Sequence, residues 1–212
     1  MEYPSIIRQE RFADSIVHFL GIVTVSVSSI CLMVGTALHS SIGLIVACTV
    51  YSLSLMASFI SSASYHLLPT SEWRDFLRRL DHIAIYGLIA GTFTPLLVRV
   101  DSTWGYYVLA AVWLFAILAM VYKIVGKEVE PKWSLASYLA LGWMAVIVFP
   151  DLITRLPSFA VATLVTGGLF YTCGTYFYVK EVQPYRNAIW HSFVFIGTIF
   201  CFGSIWITVF WQ

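Results

Sequence analysis

Residues able to do chemistry gather in one stretch of this sequence, Ser61 to Pro95, SSASYHLLPTSEWRDFLRRLDHIAIYGLIAGTFTP. A long apolar run ends in Ser62 and His66. A short loop with Arg74, Arg78 and Arg79 follows, and a second apolar run opens with Asp81 and His82. An ionisable side chain at the rim of a hydrophobic helix is costly unless it is paired or used. Ser62 and His66 are four residues apart and share a helix face, so the hydroxyl can hold the imidazole; the alternative is a bond to its own backbone carbonyl. Asn187 and His191 repeat that spacing near the other end of the chain. Asp81 and His82 point about 100° apart on a helix, so they do not enter one shell of ligands together.

The chemistry these types offer is metal-assisted hydrolysis. Zinc takes N, S or O ligands, and a catalytic site keeps one position for water. His66 and His191 supply imidazoles. Asp81 supplies an oxygen ligand, or acts as general base toward the attacking water. Each residue also has a plainer reading. His66 is then an interfacial histidine, His191 a satisfied core histidine, Asp81 an ion-pair or capping residue beside Arg78 and Arg79, and Asn187 a helix cap. No HxxxH or HExxH is present, so spacing alone does not name a metal.

Positioning these residues falls to a membrane bundle. The chain has 212 residues, of which 59% are hydrophobic and 11% charged. Soluble domains carry about 25% charged residues. The expected fold is an all-alpha membrane protein, one domain over 1–212. Its seven spans lie at about 16–38, 42–66, 82–99, 104–124, 133–150, 158–179 and 189–211. The polar first fifteen residues precede a run too long for a signal-peptide core, which reads as a retained helix. Cys31, Cys48, Cys173 and Cys201 all fall in apolar runs and read as small buried residues, with Cys201 packing or lining a cavity toward mid-membrane. Pro95 is expected to kink or end the third span. Pro150 and Pro157 bracket an outer turn, while Pro69, Pro131 and Pro184 mark inner loops. The pairs Gly87, Gly91 and Gly167, Gly168 offer close helix packing. Trp104, Trp133, Trp206 and Trp211 sit near span ends, as interfacial aromatics do.

Loop charge sets the expected orientation. Ten Lys and Arg residues fall at the amino end or in loops of one side, among them Lys123, Lys127 and Lys132, against Arg99 and Arg155 on the other. The positive-inside bias puts the amino terminus in the cytoplasm and the carboxyl terminus outside. His18, His66, Asp81, His82 and His191 then all lie at similar depth near the cytoplasmic face, and only His39 is at the outer side. Net charge of +1 gives no case for nucleic acid.

The motifs ERFADSIVHFLG (10–21), SSASYHLLP (61–69), RRLDHIAIYGLIAGTFTP (78–95) and NAIWHSFVFIG (187–197) resemble those of the hemolysin III-type membrane proteins, the bacterial branch of the progestin and adipoQ receptor family. The likeness covers nearly the whole chain. It implies seven helices, a cytoplasmic amino end and a bacterial plasma membrane. It also implies zinc on a histidine ending helix two, here His66, and on an HxxxH opening helix seven, whose second histidine is His191. Asp81 matches the aspartate that contacts zinc-bound water. His18 and His82 stand where bacterial members commonly carry histidine. The chain departs at Asn187, where the first histidine of HxxxH belongs, and at Cys201, where a deeper histidine is frequent. Three outcomes stay open: a weakened site, Asp81 as third ligand, or no metal. Receptor members resemble alkaline ceramidases. The resemblance therefore implies a zinc-dependent hydrolase of an amide- or ester-linked lipid, with Asp81 and Ser62 catalytic and a membrane lipid or fatty-acyl chain as substrate. The alternatives are a non-enzymatic sensor or receptor, or a cytolytic or membrane-homeostasis protein with a degenerate metal site.

Overall fold

A computed structural model describes residues 4–68, 72–126, 133–180 and 183–210. Lys127, Lys132, Pro69, Pro131 and Trp211 lie outside the described residues. The elements in order are α1 (Pro4–His39), α2 (Ile42–Leu67), α3 (Arg74–Val100), α4 (Thr103–Val125), α5 (Ser134–Trp143), a 3-10 turn (Met144–Val146), α6 (Phe149–Arg155), α7 (Ser158–Val179) and α8 (Arg186–Phe210). No strand occurs among the described residues. Among the described residues, six helices are long and apolar enough to cross a bilayer; the bent pair Ser134–Val146 and Phe149–Arg155, at 47°, makes a seventh if it counts as one span.

Three spans begin earlier than their apolar runs. α1 starts by Pro4, α3 at Arg74 and α8 at Arg186. Hydropathy marks where the bilayer begins, whereas a helix continues through polar residues that water can solvate. The fifth span is the larger departure. α5 has 10 residues, about 15 Å at 1.5 Å per residue, which is half of a bilayer core. Pro150 sits in the first turn of α6, where a missing N–H is tolerated and a new helix is favoured over continuation of the old one. Pro150 and Pro157 therefore frame a short helix and not a turn.

Pro95 does not end α3, which runs on to Val100. Its surroundings override the local penalty: Pro95, Leu96 and Leu97 are all buried. α3 is the most buried of the six long spans. Around it, α2, α4 and α8 pack directly, α7 packs on α8, and α1 bridges α2 and α8. This closure brings the first and last helices of the chain together. Of the expected glycine pairs, one member of each is tightly packed. A Cβ at Gly91 would stand 2.9 Å from Ser54 of α2, and one at Gly167 would stand 2.9 Å from the Gly197 carbonyl of α8. A Cβ at Gly168 would meet nothing within 4 Å.

Both ends of the frame are pinned by polar contacts. At one end Arg79 donates to the carbonyls of Lys123 (2.6 Å) and Gly126 (2.9 Å), closing the carboxyl end of α4. At the other, the Ser102 hydroxyl accepts from Gly105 N at 2.8 Å as N-cap of α4 and donates to the Asp151 carboxylate of α6. The cysteines are all free; Cys48 and Cys201 are buried, but Cys31 and Cys173 are exposed on the outer surface of the bundle, contrary to their expected burial.

Candidate metal centre

α1 carries Asp14 and His18 one turn apart on one buried face, at 5% and 4% exposure. A carboxylate that far from water must be paired. Asp14 Oδ1 accepts from His191 Nδ1 of α8 at 2.6 Å, and the Asp14 carbonyl accepts from His18 Nδ1 at 2.9 Å. With both Nδ1 atoms donating, His18 and His191 each keep the Nε2 lone pair for another partner. α2 brings His66 to the same place. The ring centroids lie 4.4 Å apart for His18 and His191, 4.5 Å for His66 and His191, and 5.8 Å for His18 and His66. Asp81 of α3 completes the group, with Oδ2 3.7 Å from His66 Nε2.

The glycine at position 21 explains how α1 comes so close. A Cβ there would fall 2.7 Å from the Phe59 ring, so only a glycine lets that ring sit beneath His18. Phe59 and Phe195, one turn deeper than Ser62 and His191, meet edge to face at 6.4 Å. These apolar rings adjoin the centre on its mid-membrane side.

Asp14, His18 and His191 offer ligand atoms that all lie within 4.8 Å of one another, and this buried cluster can hold a metal ion. The donor set fits a borderline divalent cation: imidazole nitrogens and a carboxylate, with the histidines already fixed through their other nitrogen. His66 and His191, expected to converge, do so. Asp81 joins them and does not pair with Arg79, which is spent on α4. Ser62 does not hold His66; its hydroxyl lies 3.3 Å from His18 Nε2 across the helix pair. His82 turns away from the three imidazoles, with Nδ1 3.1 Å from the Tyr138 hydroxyl of α5. Asn187 is exposed in the first turn of α8 and makes no side-chain hydrogen bond among the described residues. Asp14 is the residue passed over in the sequence. Its signal is the Asp-x-x-x-His spacing to His18, hidden because the expected first span leaves the polar residues before the apolar run outside the helix.

The centre opens into a cavity of about 760 Å³ bounded by α2, α3, α5, α6, α7 and α8. His66, Asp81 and His191 stand at one end, and Val148, Leu152 and Val161 at the other. Cys201 and Gly168 line its middle, so the cavity reading for Cys201 holds. The walls are mostly apolar, and the volume falls in the roughly 300–1,000 Å³ range of ligand sites.

Comparison with known proteins agrees with the motifs. The family model described as "Haemolysin-III related" matches residues 7–202. The Hemolysin-3 homolog of Bacillus subtilis (strain 168) is 33% identical over 198 residues, covering 93% of each chain. Hemolysin-3 of Bacillus cereus is 32% identical over 198 residues, 93% of this chain and 90% of that one. The human Monocyte to macrophage differentiation factor is 26% identical over 167 residues, 74% of this chain and 68% of its own. This chain belongs to the haemolysin-III-related family of multi-pass membrane proteins.

Proposed function

We propose that the protein is a zinc-dependent hydrolase of an amide- or ester-linked lipid, working near the cytoplasmic face of a bacterial plasma membrane. The observation that carries this reading is the meeting of three imidazoles, from α1, α2 and α8, at the polar end of an apolar cavity. His18, His66 and His191 would hold the ion. Asp14 fixes His18 and His191 in the tautomer that presents Nε2. His18 thereby fills the place left open by Asn187. Zinc bound there supplies a Lewis acid that makes water nucleophilic near neutral pH and polarises an acyl carbonyl.

The chain's own residues do the rest. Asp81, free of any arginine partner and beside His66, takes a proton from the attacking water. The water oxygen bonds to the acyl carbon. The amide C–N or ester C–O bond breaks, and the proton held on Asp81 passes to the leaving amine or alcohol. The products are a fatty acid and that amine or alcohol. Ser62 offers its hydroxyl to the acyl oxygen as negative charge builds there. The apolar cavity holds the acyl chain, and Phe59 and Phe195 adjoin the imidazoles on their deeper side.

Metal content and turnover test this together. The purified protein is expected to carry roughly one zinc per chain and to release fatty acid from acyl amides or esters. His66→Ala should lose both, and Asp81→Asn should keep zinc but lose turnover by about 10²–10⁴-fold. Protein that neither retains zinc nor gains activity when zinc is added would overturn the reading.

A further inference from the structure

We propose that the lipid taken by this cavity bears an oxyanion, a carboxylate or a phosphate, close to its scissile bond, and that Arg74 and Arg186 bind it. The inference rests on the hydrolase reading above and narrows its substrate class. Both arginines line the same cavity as His66, Asp81 and His191. Arg74 is the first residue of α3, seven before Asp81, and Arg186 is the first of α8, five before His191. At 1.5 Å per residue, the two backbone positions lie about 10 Å and about 7 Å beyond the metal centre along their helices. An arginine side chain spans much of that distance.

Neither arginine stabilises the helix it opens, although each reaches back to a carbonyl in the last turn of the helix before it, where a cation is favourable. A cation at a helix amino terminus opposes the macrodipole, where an acid is the favoured residue. Among the described residues, no carboxylate oxygen stands within 4.0 Å of either guanidinium. Glu10, which reaches this rim, is turned to the Tyr185 backbone amide at 3.0 Å. Yet each guanidinium is held in place. Arg74 donates to the Tyr65 carbonyl at 3.3 Å and lies 4.8 Å from the centroid of that tyrosine's ring. Arg186 donates to the Tyr178 carbonyl at 3.0 Å and lies 5.3 Å from the centroid of the Tyr178 ring. The Tyr65 ring in turn touches His66, with centroids 4.7 Å apart. One donor is used on each guanidinium out of five, leaving the fork free for bidentate binding of an oxyanion. Two positioned guanidiniums without a carboxylate partner among the described residues, at the polar end of an acyl-sized cavity, select for acyl chain plus anion. N-acyl amino acids and acylated phosphate esters have that form; neutral acyl amides of the same length do not.

The test is competition against a fluorescent acyl probe, with the full chain in nanodiscs of phosphatidylcholine. Competitors are palmitoylglycine, 1-palmitoyl lysophosphatidate, the neutral palmitoylethanolamide, and phosphatidylglycerol built into the disc. The expected result is at least tenfold tighter binding of one or both anionic lipids than of the neutral amide. Arg74→Gln with Arg186→Gln should erase that preference while leaving the neutral amide unchanged, and the paired Lys variants should restore part of it. The same preference should persist in metal-stripped protein, which separates it from turnover. If it persists but no lipid is cleaved with zinc present, the selection stands and the hydrolase reading fails. If the neutral amide is bound and cleaved as well as palmitoylglycine, the hydrolase stands and this inference fails. Displacement of the probe by phosphatidylglycerol as strong as by palmitoylglycine would support the inference and extend the class to diacyl phospholipids, whereas competition by both monoacyl anions no stronger than by palmitoylethanolamide would overturn it.

Discussion

At the scale of single residues, the centre is organised by one buried carboxylate, that of Asp14. Asp14 bonds His191 through its side chain and His18 through its carbonyl, so one helical turn of α1 sets two tautomers at once. Removing such an orienting group lowers metal affinity by about 10–100-fold. Asp14→Ala is expected to show that loss in chelator competition. Asp14→Asn, which keeps an acceptor for the His191 N–H, should lose less. The exchange between His18 and position 187 is testable in the same assay. His18→Ala should lower metal affinity on the order of tenfold or more, and adding Asn187→His should recover it by supplying an imidazole one turn before His191. Failure of that recovery would mean that the first turn of α8 does not face the centre. Most of this site was legible in the sequence: His66, His191 and Asp81 stand out because ionisable groups at the edge of apolar runs need a reason. Asp14 was not, because a polar residue before an apolar run looks solvated until the helix is known to start ten residues earlier. Of the two partners expected for Ser62, His66 and its own backbone, neither is the one found, His18, since a spacing within one helix says nothing about a partner on the next.

At the scale of elements, two features position the centre. The first is the close approach of α7 and α8. A Cβ at Gly167 would come within 2.7 Å of Cys201 Sγ and 2.9 Å of the Gly197 carbonyl. Because a backbone carbonyl cannot step aside, Gly167→Ala should destabilise the protein by about 1–3 kcal/mol. Gly168→Ala should stay within about 0.5 kcal/mol. Thermal unfolding in detergent separates the two, and equal shifts would contradict the helix contact. The second is the broken fifth span. Apolar length in the sequence gave its existence but hid the break, because a 3-10 turn of Met144, Ala145 and Val146 is as hydrophobic as a helix. Pro150 was visible, yet whether a proline ends a span depends on its neighbours: Pro95 is absorbed by buried surroundings in α3, and Pro150 opens a new helix.

At the scale of the whole molecule, the bent pair reaches from one end of α4 to the other. Ser134, at its start, bonds Lys123 in the last turn of α4, and Asp151, in α6, bonds the N-cap Ser102. α4 has 23 residues, about 34 Å, which is a full bilayer core. The pair is therefore expected to cross, giving seven spans and termini on opposite sides. Reporter fusions at the two ends should give opposite signals, with the amino end cytoplasmic; equal signals would make the pair a re-entrant loop and the count six. Hydropathy marks the spans and loop charge gives the expected side of the membrane, and both are properties of the sequence. The closure of α1 against α8 is not, since nothing in a chain's order says that its first and last helices touch. That closure creates the centre.

X-ray absorption at the zinc edge, on purified wild-type protein and on His18→Ala, probes that closure most directly. The account predicts a shell of light ligands at about 2.0–2.1 Å with the outer-shell signature of three imidazoles, falling to two in the variant. A wild-type spectrum without imidazole, or one that His18→Ala leaves unchanged, would contradict it.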